Sequence, residues 1–339
     1  MTVKPSSVTL AEVGRRVGVS GVTVSNVINN RGGTSAATQA KVWAAIRETG
    51  YVANLAARSL AGGKTRTVGV LVPDLSTQYA SEIVRGVSAA VAASGLEMLV
   101  STTHNSTLER KQVDLLKGIT DGLVFLLPYE SHDANQDVRS FDFQGQPVVA
   151  IEYRPGAYPF PTVNIDDYEG TKHAVSYLVS LGHGRTGFIG GPAGRLASET
   201  RLNAYRDALT EAGLSLDPDL LKHGDFTQPT GFVAARELLE LADPPTAIFA
   251  TNDLSAFGAI EAVKHHGLRI PEDISVVGFD DIPMASQVFP PLTTVKRPLE
   301  QLGKTAVELL LAKLRGETTE TNVTLPTRLI VRATTQRRG

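Results

Sequence analysis

Residues 8–29, VTLAEVGRRVGVSGVTVSNVIN, decide how the N-terminal part of the chain folds. Thr9 and Glu12 form a T-x-x-E capping pair, in which hydroxyl and carboxylate each satisfy a free amide at a helix start. Val13 and Val17 give that helix one apolar face, and Gly18 ends it. Ser20 then serves as N-cap of a second helix. There Val24, Val27 and Ile28 recur at helical spacing and face inward. Val22 and Asn26 are thereby turned outward, with Gly21, Thr23 and Ser25 near the leading turn. This outward face is small, polar and almost uncharged, which suits base edges better than bulk water. The pattern predicts a helix-turn-helix, whose second helix enters the DNA major groove N-terminus first.

Outward from this motif, a third helix is expected from the Ser35 cap to Gly50, burying Val42, Ala45 and Ile46. Tyr51 follows, and then NLAARSLAGGKTRT at 54–67. Its first eight residues have an Asn cap and good helix formers but too few apolar positions to pack alone. Gly62 and Gly63 break the pattern, so the segment reads as a linker that is helical only when held. Charge divides at the same place. Residues 1–66 hold nine Lys and Arg against two acids, a balance of +7, while the other 273 residues carry −9. A basic head on an acidic body is the electrostatic footprint of nucleic-acid binding.

At 339 residues the chain has room for two or three units, and its 42% apolar and 20% charged residues are those of a soluble globular protein. No apolar run approaches the ~18 residues a membrane span needs. The first residues lack the apolar stretch of a secretory leader, and with no cysteine present the cytoplasm is the expected compartment. No catalytic signature is found. GGPAG at 190–194 lacks dinucleotide-binding spacing, and no G-x-S-x-G, P-loop or H-E-x-x-H occurs. The seven histidines are scattered; His265 and His266 are adjacent and cannot share a helical face, and His183 is expected to be structural. Neither a metal site nor a cofactor is expected.

From residue 67 onward, short β-branched runs apolar on both faces alternate with amphipathic helical stretches. The strands expected are 67–73, 97–101, 122–127, 147–151, 186–190, 246–250 and 274–279, with helices at 79–94, 168–181, 199–212 and 254–266 among them. That is parallel α/β architecture, long enough for two lobes divided near residue 162. Ligands of such lobes lie beyond the carboxyl ends of the strands. Those ends carry Asp74, Glu152, Asn252, Asp253, Asp280 and Asp281, with Arg201 heading a helix after IGGP and Phe226 after Gly224–Asp225. Asp253 and Asp281 read as helix caps. The others offer carboxylates, an amide, a guanidinium and an aromatic face, the chemistry that binds a polyhydroxylated sugar.

The segments VTLAEVGRRVGVS, TVSNVIN, SAATQAKVWAAI and GYVANLAARSLAG resemble the headpiece and hinge of the LacI/GalR (lactose-repressor/galactose-repressor) family of bacterial transcription regulators, and the likeness extends over nearly the whole chain. The resemblance implies a headpiece at 1–53, a hinge helix and linker at 54–66, and a two-lobed periplasmic-binding-protein-like effector and dimerisation domain at 67–339. Lobe 1 would comprise about 67–162 plus 294–318, and lobe 2 about 163–292 plus 320–335. The helix at about 298–315 would return to lobe 1, and 323–332 would finish in lobe 2. The implied DNA contacts are Thr9, Ser20, Gly21, Val22, Thr23, Ser25, Asn26, Asn29, Ser35, Tyr51, Asn54, Ala57 and Leu60, the last as an apolar wedge in the minor groove. The implied effector contacts are Asp74, Tyr79, Glu152, Arg201, Phe226, Asn252, Asp280 and Arg297.

Two departures stand out. Gly21 and Val22 offer few hydrogen bonds for direct readout, and Arg297 stands where sugar-binding relatives often carry Gln, which points to an acidic or phosphorylated effector. The reading is a cytoplasmic homodimeric repressor of a carbohydrate-use operon, bound to double-stranded operator DNA and released or retained by a sugar-like effector. Alternatives are a regulator answering to a nucleobase, a sugar phosphate or a phosphoprotein, and a sugar-binding transport protein. No tetramerising heptad segment is expected after Arg332.

Overall fold

The computed structural model describes residues 8–28, 32–51, 64–103, 110–126, 141–153 and 159–338. The chain divides into two compact units, Met1–Thr65 and Arg66–Gly339.

In the first unit α1 (Leu10–Val17), α2 (Gly21–Ile28) and α3 (Ala36–Thr49) follow the expected order. The three expected hydroxyl caps are in place. Thr9 Oγ1 accepts from the Glu12 amide at 3.3 Å, Ser20 Oγ from Thr23 at 3.1 Å and Ser35 Oγ from Thr38 at 3.3 Å. Gly18 and Gly50 end α1 and α3 with φ of 76° and 64°, conformations open to glycine without strain. Val13, Val24, Val27, Val42 and Ala45 form the core, with Val17, Ile28, Ile46 and Tyr51 packed around it. The α1–α2 turn is tight because a Cβ on Gly14 would stand 2.5 Å from the Val19 carbonyl oxygen.

The second unit contains two six-stranded sheets. In the first, β1 (Thr67–Val72), β2 (Glu97–Thr102), β3 (Gly122–Leu126), β4 (Val148–Ile151), β5 (Thr162–Ile165) and β11 (Asn322–Leu325) are all parallel, in the order β2-β1-β3-β4-β5-β11. Helices α4 (Gln78–Ala93) and α5 (Arg110–Ile119) belong to this part of the chain. In the second, β6 (Thr186–Gly190), β7 (Leu221–His223), β8 (Ala247–Ala250), β9 (Ser275–Asp280) and β10 (Thr293–Lys296) are parallel, and β12 (Arg328–Ile330) runs antiparallel against β10. Its helices are α6 (Asp167–Ser180), α7 (Leu196–Glu211), α8 (Gln228–Leu239) and α9 (Asp253–His265). α10 (Leu299–Leu314) packs on β3, β4 and β5, so the last helix does return to the first lobe.

The lobe boundaries need correction. β5 belongs to the first sheet, so the chain leaves that lobe at Asp166 rather than 162. β10 belongs to the second sheet, so the return begins after Lys296 rather than at 294. Residues 322–325 rejoin the first sheet, and the chain finishes in the second lobe only from Arg328 onward, with Thr334 bonded to Val276 and Thr293. The cause is non-local pairing: β11 aligns Asn322 with Thr162, whose hydroxyl donates to Asn322 Oδ1 at 2.8 Å. Three crossovers therefore join the lobes. The first and third are tied where the Asp166 amide donates to Leu325 O at 2.9 Å and Thr327 Oγ1 donates to Asp166 O at 3.2 Å. His183 is structural as expected, its ring nitrogens 3.0 Å from Thr246 Oγ1 and from Gln336 O. No described helix is long and apolar enough to cross a membrane.

Candidate functional site

Each unit carries one candidate site. On the head, α2 has no charged residue, and it buries Val24 and Val27 while Val22 is 70% exposed. The Ser20 and Thr23 hydroxyls are 2.9 Å apart and bonded to one another. A Cβ on Gly21 would lie 3.3 Å from the Ala11 amide nitrogen, so Gly21 faces α1 rather than outward. Thr9 and Ser35 are helix caps and Tyr51 packs on the core. Ser25 and Asn26 are half-buried on α2. Asn29, Asn54, Ala57 and Leu60 lie outside the described residues.

In the second unit, strand ends from both sheets meet at Arg297, the residue after β10, which is 4% exposed. Its Nε donates to Asp167 Oδ1 at 3.0 Å and its Nη1 to Asp280 Oδ1 at 3.3 Å, while its Nη2 donates to Glu152 Oε1. Glu152 follows β4 in the first lobe, Asp280 ends β9 in the second, and Asp167 stands just past the first crossover. Tyr79 of α4 donates its hydroxyl to the other Glu152 oxygen, and its ring centre is 5.4 Å from the Arg297 guanidinium carbon. Arg201 of α7 donates from Nη2 to Asp167 Oδ2 at 2.7 Å and from Nη1 to the Thr251 carbonyl, its guanidinium carbon 4.2 Å from the Phe279 ring centre. One buried network thus joins both lobes and a crossover.

Its charges do not balance at full ionisation, since three carboxylates face two guanidiniums. Burial, with Asp167 alongside, pushes Glu152 up to about 8, and burial raises Asp167 and Asp280 as well. Against the cost of burial, Asp167, Asp280 and Glu152 hold the Arg201 guanidinium above its ordinary value. Burial pulls Arg297 down to about 9, which leaves it charged at neutral pH. With Glu152 raised to about 8, the network carries less negative charge near neutrality than full ionisation would give it.

The backbone is strained at the same place. Glu152, Phe226, Asp280 and Asp281 have φ of 61°, 70°, 119° and 55°, four of the six positive-φ non-glycine residues among those described. Such conformations cost roughly 1–3 kcal/mol each and persist where the surroundings enforce them, commonly at ligand sites. The Phe226 ring lies against Gly191, where a Cβ would stand 2.1 Å from Cζ of the ring. Arg195 lies 5.8 Å from the ring centre.

Of the expected effector residues, Tyr79, Glu152, Arg201, Asp280 and Arg297 share the network, and Asn252 adjoins Phe226 through an Nδ2 bond to its carbonyl at 2.8 Å. Asp74 does not join them; its exposed carboxylate accepts from the Ser76 amide at 2.8 Å and hydroxyl at 2.5 Å, closing its own turn. Neither Asp253 nor Asp281 is a cap. Asn252 caps α9, while Asp253 is buried, accepting from the Ile282 amide and the Thr294 hydroxyl, and Asp281 pairs with Arg332 at 2.6 Å. Asp167 and Arg195 escape a reading of strand ends. The signal for Asp167 is the doubled acid in NIDD: Asp166 alone caps α6, leaving its neighbour for another task.

Comparison with known proteins agrees with the division into two units. Residues 9–54 match the family model for bacterial regulatory proteins of the lacI family, and 175–335 match a periplasmic binding protein-like domain. The chain is 36% identical over 318 residues to the HTH-type transcriptional repressor CytR of Escherichia coli (strain K12), covering 92% of this chain and 91% of that one. Its fold is similar to a Lac repressor dimer bound to operator and the anti-inducer ONPF, with a TM-score of 0.85, 32% identity and coverage of 98% and 100%. A CelR–cellobiose complex matches at a TM-score of 0.71, 34% identity and the same coverage. With a helix-turn-helix head, a two-lobed body and relatives that are transcriptional regulators rather than enzymes, the chain belongs to the LacI family of bacterial regulatory proteins.

Proposed function

We propose that this regulator is a cytoplasmic homodimeric repressor whose operator affinity is set by a neutral, hydroxyl-rich effector, a sugar first of all, bound between the lobes. The observation that carries the effector class is the commitment of Arg297. An arginine free in the cleft would favour an acidic or phosphorylated ligand, as its sequence position alone suggests. Here each of its three nitrogens donates to a carboxyl, of Glu152, Asp167 or Asp280, so its charge is already partnered. A phosphate entering this network would face three carboxylates, whereas hydroxyls can donate to them and accept from the guanidiniums. The cellobiose of the CelR complex is chemically of this kind. A neutral nucleoside is the second reading, favoured by the Phe226 ring with Arg195 beside it.

In this reading the head binds one operator half-site per protomer, and two-fold DNA is met by a two-fold protein. Leu60, by the family resemblance, wedges into the central minor-groove step. The effector takes over the bonds that Arg297 makes across the lobes, shifts the crossovers and so alters DNA affinity. Calorimetry of the full chain with cellobiose, glucose, adenosine and glucose 6-phosphate tests the effector class. Binding by uncharged members is expected; a phosphate ester binding more tightly than its parent sugar would sink it.

A further inference from the structure

We propose that Val22 reads the 5-methyl group of a thymine in each operator half-site, so that direct recognition at this position is apolar. The inference rests on the head being a DNA-binding domain and adds what that domain recognises. Isolated exposed apolar residues are common on proteins and by themselves mean nothing. Val22 differs because of what surrounds it on the leading turn of α2. The Ser20 and Thr23 hydroxyls are bonded to one another and Ser20 also accepts the Thr23 amide. Gly21 has no side chain, and its Cβ position faces the α1 backbone. Val24 is fully buried. Val22 is therefore the large side chain that the first turn projects, 70% exposed on a helix without one charge.

The chemistry of the major groove then narrows the partner. Every base presents hydrogen-bonding groups on the edge a helix meets, and thymine alone adds a methyl. An isopropyl group can neither donate nor accept. Against an amino or carbonyl group it displaces water and returns nothing, leaving that group unpaired. Against a methyl it buries apolar surface on both partners. Its β-branch also leaves essentially one χ1 rotamer in a helix, so little side-chain freedom is lost on docking. The attraction to the duplex comes from the +7 charge of residues 1–66 and is indifferent to sequence, which leaves discrimination to contacts of this kind.

The size of the effect follows from the burial of one methyl group, about fourfold in affinity per half-site and about fifteenfold when both halves of a palindrome are changed. The full-length chain is used to select its preferred duplex from a random pool. Each thymine of the half-site is then replaced in turn, symmetrically, by deoxyuridine, which removes the methyl and keeps the base pair. One position should lose about fifteenfold for the parent chain and lose little for Val22→Ser. Val22→Ala serves as a second variant in case serine weakens the helix, with α3's Trp43, the chain's single tryptophan, reporting that the head is folded. An unchanged deoxyuridine profile in both variants, or a parent profile flat at every thymine, overturns the assignment. Failure of the chain to enrich any duplex would instead bring down DNA binding itself, and the thymine contact with it.

Discussion

Arg297 and Asp167 stand beside different crossovers between the lobes, 130 residues apart in sequence, and meet through a 3.0 Å bond from Nε to Oδ1. The same guanidinium reaches Glu152 in one lobe and Asp280 in the other. A residue so placed belongs at once to the joint and to the cleft. The two lobes are joined by this ion network, and on the proposed function it is what an effector would remodel.

Removing one partner from such a network is expensive because the remaining charges stay buried. Arg297→Gln leaves three carboxylates around one guanidinium, and a loss of about 3–5 kcal/mol is expected in urea unfolding. Adding Glu152→Gln should restore part of it, with a coupling of about 0.5–3 kcal/mol. Strict additivity of the two changes would show that the bridge is energetically idle.

Stability should fall as pH rises through the neutral range. A glutamate ordinarily titrates at 4.5, whereas Glu152 is held up to about 8 by burial and Asp167. Between these values the folded chain retains a proton that the unfolded chain has lost, so the contribution of Glu152 is full below 4.5 and is lost as pH climbs through 8. Buried Asp253, raised to about 7, acts in the same direction. Melting temperatures of the full chain at pH 5, 6.5 and 8 should decrease in that order, with a shallower decrease in Glu152→Gln. An increase would reverse the assignment of the raised groups.

Asp280→Asn removes the charge with almost no change of shape. The variant should bind operator DNA as the parent does and release it poorly when effector is added. Anisotropy of a labelled operator titrated with the sugar identified by calorimetry measures this. A half-effect concentration equal to that of the parent would move effector sensing away from Asp280.

Gly14→Ala tests the tight turn in the head. The added methyl must displace the Val19 carbonyl from 2.5 Å, an overpacking that costs about 1–3 kcal/mol. In a unit this small that is a large share of its stability. Trp43 emission should report a lower melting point for the head, while calorimetric effector binding by the same chain is unchanged. An unshifted Trp43 transition would mean that the turn relaxes freely.

The head was legible because what builds it is local. Caps at Thr9, Ser20 and Ser35 and helix ends at Gly18 and Gly50 each lie within four residues of what they terminate. The strands of the body were legible from their β-branched runs, and Glu152, Asn252 and Asp280 from standing at strand ends. Which sheet β5, β10 and β11 join was not, because partners such as Thr162 and Asn322 are 160 residues apart. The same distance hid the use of Arg297. Its cation is visible, but the three acids that occupy it come from separate segments, and one of them, Asp167, stands in the first turn of α6 rather than at a strand end.

The return of β11 and α10 to the first lobe also bears on how the protein is made. At roughly 5–20 residues per second, a ribosome synthesises the 133 residues between β5 and α10 in on the order of ten seconds. Throughout that interval the first sheet has emerged without the helix that covers β3, β4 and β5 and without its edge strand. The head completes itself early, from neighbours in sequence. The first lobe has to wait for the end of the message, with an apolar face and an open strand edge that chaperones are suited to shield.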